Sequence, residues 1–282
     1  MAYYMNETSL TDFKSYLYRQ EKSENTIRKY LADLIKLKEY SQGKEITKEL
    51  MIAYKEHLRT QGYQISSINS YLVAANRFFE YMEWFDVKVK TYKLQKKTYL
   101  SEEKELTKAE FKLLVKTAME HDREKMAMII QTICVTGIRV SELQYLTVKA
   151  LKHGEFSIYN KGKERIVLLP KKLQMKLLAY VRKQEITSGS VFATQNGKPL
   201  DRTYIWREMK KLCALADIPP EKVFPHNLRA LFARTYYELF KDIAKLADML
   251  GHSNIETTRI YIKTPCREHL RQLDRMRLLV GL

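Results

Sequence analysis

Four cationic or hydrogen-bonding side chains stand where helices are predicted to begin or end. They are Arg139, His226, Arg229 and His252. Pro225 favours the first turn of a helix, so His226 and Arg229, three residues apart, are expected on one face near its N-terminus. Helix N-termini attract phosphate, and a guanidinium group matches the geometry of phosphate oxygens. This set therefore predicts chemistry on a phosphate group.

Each of these residues also has an ordinary structural explanation. Arg139 follows the apolar run 129–138, and an arginine that leaves a core helix needs a partner, for which Glu142 is available three residues on. A His-x-x-Arg pair such as His226 and Arg229 is common on surface helices. Taken one at a time, these features leave both interpretations open.

A predicted helix break separates His252 from Tyr261. Gly251 ends one helix, and Ser253 with Glu256 has the pattern of a capping box that starts the next. In one unbroken helix, nine residues would separate the two side chains by about 13.5 Å along the axis. A break at Ser253 allows both to approach one point, with Tyr261 about two turns into the new helix.

Composition and missing motifs exclude several classes of protein. The chain carries 50 Lys and Arg against 33 Asp and Glu, a formal net charge of +17, which points to nucleic acid unless the charge serves solubility alone. It has no glycine-rich phosphate loop ending in Lys-Ser or Lys-Thr, and no cysteine pair with metal-ligand spacing. We therefore expect neither a cofactor nor a metal.

The elements that must position the candidate residues fall into two predicted domains. Apolar residues at helical spacing predict four or five short helices in residues 1–86. Thr107 and Glu110 predict the capped start of a second domain, 106–282, which is mostly helical with one β-hairpin around the polar tip 160–163. The predicted fold class is mainly α, with a small sheet in the second domain.

Residues 87–105 are predicted to form an extended linker between these domains. Its first part, 87–99, contains no acidic residue and the lysines Lys88, Lys90, Lys93, Lys96 and Lys97. Unopposed lysines on a linker are able to follow a DNA backbone. A merely solvated tether would have the same composition, so both interpretations stand.

Five sequence blocks together resemble the tyrosine recombinase, or phage integrase, family. In chain order they are TGIRVSEL at 136–143, KGKER at 161–165, HNLR at 226–229, LGHS at 250–253, and Tyr261 nine residues after His252. Any single block is weakly specific, but all five occur in the family's order. The resemblance covers the whole chain and is to the simpler Xer-like members, with a helical core-binding domain before the catalytic domain.

The resemblance implies a role for each candidate residue. Arg139 and Arg229 would clamp the non-bridging oxygens of the scissile phosphate, and His252 would add a hydrogen bond to the same oxygens. Tyr261 would be the nucleophile that forms a 3′-phosphotyrosyl link. His226 would assist proton transfer near it.

The resemblance also assigns a general acid to the hairpin. Lys161 would reach the DNA minor groove and protonate the leaving 5′-oxygen. Lys163 competes for this role, because the hairpin is one residue shorter than the commonest family pattern. Ala230 is a second departure, since the family often has a histidine or a basic residue after the arginine.

For the whole protein, the resemblance implies a two-domain clamp on double-stranded DNA that exchanges strands through a Holliday junction, as in integration, excision or inversion of a mobile element. Four protomers would assemble on two DNA sites through an exchange helix at 267–282 that packs on the neighbouring protomer. The alternative is that this helix packs on its own domain. An accessory directionality factor is a further candidate partner. A type IB topoisomerase-like enzyme and a catalytically silent DNA-binding regulator are the alternatives.

The expected location is the cytoplasm. The three cysteines are far apart and odd in number, which fits a reducing compartment. The chain starts without a signal peptide, and no apolar run approaches the roughly 20 residues that a membrane span needs.

Overall fold

The structure is a computed structural model that describes residues 2–93, 105–160, 163–194, 196–261 and 274–276. The chain divides into two compact units, residues 1–96 and 97–282. Several predicted features lie outside the described residues: Lys96, Lys97, Lys161 and the tail 267–282 except for 274–276.

The first unit is helical. Its helices are α1 (Glu7–Arg19), α2 (Glu24–Ser41), α3 (Lys48–Thr60) and α4 (Ile65–Tyr81). The first three begin at Asn6, Ser23 and Thr47, whose side chains each accept a backbone N–H of the first turn. The apolar faces of the helices meet in a core that includes the fully buried Phe13 and Phe78. The helices predicted for this region are confirmed.

The first part of the predicted linker packs on this unit. Val87 and Val89 are buried in its core, and the Asn76 side chain makes two hydrogen bonds to the Val89 backbone, at 2.8 and 3.1 Å. Lys88 pairs with Glu80 at 2.8 Å. The alternating valines between the lysines bury this stretch on one side, so it is held on the first unit.

The second unit is mainly helical and contains one small sheet. Its elements are α5 (Lys108–Glu120), α6 (Glu124–Thr136), a 3-10 turn (Val140–Tyr145), α7 (Val148–His153), β1 (Glu155–Asn160), β2 (Lys163–Leu168), α8 (Lys171–Lys183), α9 (Arg202–Ala216), a 3-10 turn (Pro220–Lys222), α10 (Pro225–Phe240), α11 (Ile243–Leu250) and α12 (Ile255–Arg259). Thr107 and Glu110 form the predicted capping box of α5. The mainly α fold class with a small sheet is confirmed. Within the described ranges, no helix is both long and apolar enough to cross a membrane.

The two strands form the predicted hairpin. They pair antiparallel, with Phe156 opposite Val167 and Ile158 opposite Arg165. Phe156, Ile158 and Val167 are buried in the core of the second unit, so this face of the sheet points inward. Arg165, opposite Ile158, is therefore a charged residue on the inward face.

Helix ends bring distant parts of the second unit together. Helices α6 and α11 end at Gly137 and Gly251, both with φ of 66°, the left-handed conformation that glycine adopts most readily. Pro225 is the first residue of α10, as predicted.

The start of α12 differs from the prediction. Its N-cap is Asn254, whose side chain accepts from the Glu256 N–H at 2.8 Å, whereas the sequence pattern indicated Ser253. Asn and Ser are both good caps, so sequence alone does not separate adjacent candidates. The helix ends at Arg259, so the prediction that Tyr261 lies two turns into it was wrong. Tyr261 lies in the following turn, where its N–H donates to the Thr258 carbonyl at 3.0 Å.

Candidate active site

Arg229 is the buried centre of the candidate site. It lies one turn into α10 and is 2% exposed. Its guanidinium donates to the backbone carbonyls of Gly137 and Leu250, the latter at 2.7 Å. These carbonyls lie at the C-terminal ends of α6 and α11, whose partial negative charge stabilises a buried cation. Burial and the charge of Arg139 lower the pKa of Arg229 to about 10, so it stays charged at neutral pH.

Gly137 leaves no room for a side chain. A Cβ there would lie 2.5 Å from the ring of Phe232, and its φ is in the left-handed region. We expect Gly137→Ala to lower the free energy of unfolding by roughly 1–3 kcal/mol, measured by urea titration. Gly62→Ala is the matched control, since Gly62 has φ of 75° but nothing within 4 Å of the new Cβ. Equal losses in the two variants would contradict a steric cause at Gly137.

His252 is held as its Nδ1–H tautomer. Arg229 Nη2 lies 2.9 Å from His252 Nε2, and because a guanidinium only donates, Nε2 accepts and carries no proton. The ring proton is therefore on Nδ1, which donates to the Oγ1 of the fully buried Thr258 at 2.9 Å. Burial, followed by the charges of Arg229, Arg139 and Arg165, lowers the pKa of His252 to about 4. His252 is thus neutral at physiological pH.

The phenol of Tyr261 lies against two imidazole rings. Its hydroxyl is 3.5 Å from His226 Nδ1, at the outer limit of a hydrogen bond. Its ring centroid is 5.2 Å from that of His226 and 5.9 Å from that of His252. Burial, followed by the charges of Arg229 and Arg139, lowers the pKa of His226. A neutral His226 is able to accept a proton from the phenol.

Arg139 lies beside this group and pairs with Glu142. Its Nη1 donates to Glu142 Oε1 at 2.9 Å, and its backbone N–H donates to Oε2 at 2.7 Å. The Glu142 side chain is 3% exposed, whereas that of Arg139 is 36% exposed. The pairing expected from sequence is confirmed, and it orients the guanidinium while leaving part of it accessible to a ligand.

A cleft of about 810 Å³ opens next to these residues, between the β-hairpin and the turn from α11 to α12. Arg139, Arg165 and His252 line it, together with Gly251 and Thr257. The acidic residues Glu142, Glu164 and Asp248 line it as well, so the half-exposed guanidinium of Arg139 is the cationic group that it offers to an anion. Among the described residues, no group of three or more His, Cys, Asp or Glu is placed to hold a metal ion.

The depressed histidine pKa values give stability a defined pH dependence. An unfolded histidine has a pKa of about 6.5, so between that value and the folded pKa the unfolded chain binds a proton that the folded chain does not, and stability rises with pH. The contribution of His252 is complete above about pH 6.5 and is lost as the pH falls towards its folded pKa of about 4.

We therefore expect His252→Gln to reduce the slope of unfolding free energy against pH between about pH 4.5 and 7. The number of protons taken up on unfolding in this range should fall by up to about one. Urea unfolding at a series of pH values measures this slope. His153→Gln, on the exposed end of α7, is the control and should keep the wild-type slope. A His252→Gln slope as steep as that of the wild type would contradict the expectation.

The structure brings together five residues that the sequence singled out. They are Arg139, His226, Arg229, His252 and Tyr261. The charge of Arg139 lowers the pKa of three of the others, which places it close to them. Lys161 lies outside the described residues, and Lys163 is the first residue of β2. The catalytic roles of all six predicted residues stay predictions.

The linker lysines differ in their surroundings. Lys88 is paired with Glu80, while Lys90 and Lys93 are exposed. Their contact with DNA stays a prediction.

Two site residues were not predicted from sequence. Thr258 binds His252, and no pattern in the sequence marked it. Arg165 donates to Glu142 at 2.6 Å and lies within the KGKER block, but its partner is distant in sequence.

Comparison with known proteins identifies the family of this chain. Residues 104–266 match the phage integrase family, and residues 10–84 match the phage integrase N-terminal SAM-like domain. Tyrosine recombinase XerA of Pyrococcus furiosus is 30% identical over 282 residues, which cover 97% of this chain and 95% of that protein.

Two solved structures share the fold. One is XerH site-specific recombinase bound to palindromic difH substrate in a post-cleavage complex, with TM-score 0.72 and 20% identity over 88% of this chain and 78% of that one. The other is a lambda integrase tetramer bound to a Holliday junction, with TM-score 0.74 and 16% identity over 92% and 77% of the two chains. Because the family match spans more than half of the chain and a 30% identical relative spans nearly all of it, the protein belongs to the phage integrase family of tyrosine recombinases, enzymes that cleave and rejoin DNA.

Proposed function

We propose that this protein is a site-specific recombinase that cleaves double-stranded DNA with Tyr261 and rejoins it to a new partner strand. The observation that carries the proposal is the contact of Arg229 with His252, with the Tyr261 phenol against His252 and His226, beside a cleft lined by Arg139. These are the groups needed to bind a phosphodiester and attack it with a phenol. The similar structures with difH substrate and with a Holliday junction support extending strand exchange to this chain.

In the proposed reaction, the Tyr261 oxygen bonds to the scissile phosphorus as the bond from phosphorus to the 5′-oxygen breaks. A phenol is a poor nucleophile until it loses its proton, and neutral His226 accepts that proton as Tyr261 attacks. The leaving 5′-oxygen takes a proton from Lys161, with Lys163 as the alternative donor. Because the ester to Tyr261 conserves the bond energy, the reverse attack by a 5′-hydroxyl reseals DNA without a nucleotide cofactor.

Binding of phosphate requires Arg229 to change one partner. Its Nη2 contacts both the Leu250 carbonyl and His252 Nε2. A phosphate oxygen that takes the place of Nε2 as acceptor lets His252 carry a proton on Nε2 and donate it to the same phosphate. The Thr258 hydroxyl then donates to Nδ1, since a hydroxyl is able to do either.

Tyr261 must also move before it attacks. It is 6% exposed, and the residues that line the cleft do not include it. In the proposed cycle, DNA binding turns the segment after α12 towards the cleft. The attack is thereby confined to protein that has bound its DNA.

The grip on DNA is proposed to come from two domains, 1–86 and 106–282, joined by residues 87–105. Among the linker lysines that the structure describes, the exposed Lys90 and Lys93 are the candidates for contacts with DNA phosphates. Such contacts position a protein on DNA without reading its sequence.

Assembly is proposed to use an apolar groove of about 410 Å³ on the second unit. Phe111, Val135, Leu231, Leu239 and Phe240 line it, and Leu239 and Phe240 are 68% and 62% exposed. The tail 267–282 carries Leu270, Leu273, Met276 and Leu279 at helical spacing, which suits such a groove. We assign the groove to the tail of a neighbouring protomer in a tetramer on two DNA sites. Packing of the tail on its own domain is the alternative. We also propose an accessory directionality factor as a separate partner.

We expect Leu239→Asp to weaken tetramer assembly on DNA at least about tenfold, because it places a charge in an apolar contact. Cleavage of a single site should change less than about threefold. Sedimentation of the protein on a two-site DNA measures assembly, with Ile52→Asp, at a 55% exposed position of the first unit, as control. Normal assembly by the Leu239 variant would contradict this use of the groove.

Nicked suicide duplexes tiled across the DNA that flanks the encoding gene test the reaction itself. The wild-type protein should become covalently attached to one duplex through a 3′-phosphate on Tyr261, leaving a 5′-hydroxyl on the other fragment. Peptide mapping identifies the attached residue. Attachment at another residue, or no attachment to any tile, would contradict the proposal.

A two-site plasmid separates this function from its alternatives. Recombinant product supports a recombinase, whereas relaxation without recombinant product would support a type IB topoisomerase-like enzyme. Tight binding without either product would support a silent regulator.

A further inference from the structure

Arg165 connects three separate segments at the edge of the cleft. From β2, its Nη2 donates to Glu142 Oε2 at 2.6 Å and its Nη1 donates to the Met249 carbonyl at 2.7 Å. Its side chain is only 13% exposed. One guanidinium thus ties the hairpin to the turn that carries Arg139 and to the C-terminal end of α11.

Glu142 is the common partner of Arg139 and Arg165. Its Oε1 accepts from the Arg139 side chain, and its Oε2 accepts from the Arg139 backbone N–H and from Arg165. The carboxylate is almost fully buried, so two guanidinium groups share one buried negative charge. If Arg165 were absent, the whole charge of Glu142 would act on Arg139, because the carboxylate would have lost one of its two guanidinium partners.

The stem of Arg165 also supports the turn before His252. A Cβ added at Gly251 would lie 2.5 Å from Arg165 Cδ, so the stem lies directly on the Gly251 backbone. This turn is closed by two backbone hydrogen bonds, from Gly251 N–H to the Asp248 carbonyl and from His252 N–H to the Ala247 carbonyl, both at 2.9 Å. Arg165 therefore covers the turn and binds its Met249 carbonyl.

We propose that Arg165 is a positioning residue for strand cleavage: it offsets the charge of buried Glu142, so that Arg139 is available to phosphate, and it holds the turn that places His252. The proposal rests on the proposed function and adds to it a link from the hairpin to Arg139 and His252, two of the three proposed phosphate-binding side chains. Arg165 itself is occupied by Glu142 and Met249, so it acts through its neighbours.

The test compares Arg165→Met, Glu142→Gln and the double variant with the wild type, in DNA affinity and in the single-turnover rate of covalent attachment to a suicide duplex. Arg165→Met should slow attachment roughly 30-fold with DNA affinity within about threefold. Adding Glu142→Gln removes the unbalanced charge, so the double variant should react at least about fivefold faster than Arg165→Met alone. Arg165→Lys keeps the charge with a single donor group and should fall between Arg165→Met and the wild type.

The control is Arg182→Met, which removes an exposed arginine of α8 and should react as the wild type does. A merely structural Arg165 predicts that the two defects multiply, so a double variant slower than both single variants would overturn the proposal. A wild-type attachment rate in Arg165→Met would do so as well.

Hydrogen exchange at the Gly251 and His252 amides tests the same proposal without cleavage. Exchange at these amides should be at least about tenfold faster in Arg165→Met than in the wild type and in Arg182→Met. Unchanged exchange would overturn the positioning of the turn. If exchange at these amides is faster in Arg165→Met, as expected, but the wild-type protein never attaches to DNA, the proposed function fails. The support of this turn by Arg165 would then still stand.

Discussion

Tyr261→Phe is expected to reduce covalent attachment to DNA to below about 10⁻⁴ of the wild-type rate, because the oxygen that forms the ester is gone. DNA affinity should stay within about threefold, since the ring and its packing are kept. The hydroxyl lies 3.5 Å from His226 Nδ1 and also interacts with the Arg229 side chain, so the melting temperature should fall by no more than about 4 °C. Attachment is measured by denaturing gel electrophoresis of labelled suicide duplex after a single turnover.

Tyr237→Phe is the matched control for this variant. Tyr237 packs against the same apolar cluster of the second unit as Tyr261 does, and its loss of a hydroxyl should leave attachment unchanged. Residual attachment in Tyr261→Phe at more than about 1% of the wild-type rate would identify a different nucleophile.

Arg229→Met is expected to have the second largest effect, because it combines a chemical and a structural defect. Attachment should fall at least about 10³-fold, as a guanidinium that offsets charge developing on the phosphate is lost. The carbonyls of Gly137 and Leu250 would lose their buried donor, which should lower the free energy of unfolding by about 3 kcal/mol. Arg229→Lys keeps the charge but has a single donor group for the two carbonyls and should recover part of the stability.

Single-turnover attachment and urea unfolding, measured on the same preparations, separate these two effects. Arg234→Lys is the control, since Arg234 lies on the same helix and also binds a backbone carbonyl, that of Leu106 at 2.9 Å. Normal attachment by Arg229→Met would refute the phosphate clamp. Normal stability would refute the structural part alone.

The arrangement explains how a strongly basic site is assembled in a folded core. Arg229 is stabilised by carbonyls at the ends of α6 and α11, and Arg139 is stabilised by Glu142. Both guanidinium groups are therefore held before any DNA arrives. In the proposed reaction, phosphate would meet guanidinium groups that are already in place, and such preorganisation is the basis of electrostatic catalysis.

Sequence predicted most of the helix ends that position the site. The capping box of Thr107, the first-turn Pro225 and the closing Gly251 all lie where the patterns indicated. The prediction at Ser253 was wrong by one residue, because adjacent Ser and Asn are nearly equivalent caps. Local signals of this kind depend on a few neighbouring residues, so they can be predicted from the sequence.

Sequence did not indicate the network that supports the site. Arg165 meets Glu142 across 23 positions and Met249 across 84, and no local pattern relates residues so far apart. Thr258 was equally unmarked, since a threonine on a short helix has many ordinary explanations. The burial of Arg229 was also unexpected, because charged residues are almost never fully buried unless they are paired.

The chain by itself determined the family, the mainly α class, the hairpin and the residues expected to carry the chemistry. This was possible because motif spacing and the residues that start and end helices are local properties of the sequence. Only the tertiary structure decided which carbonyls accept hydrogen bonds from Arg229 and which tautomer His252 adopts. It also decided that Tyr261 lies buried beside the cleft. These depend on contacts between α6, α10, α11 and α12, which form only when their apolar faces pack together. Long-range packing sets the partner, burial and protonation of each group, and no single segment contains that information.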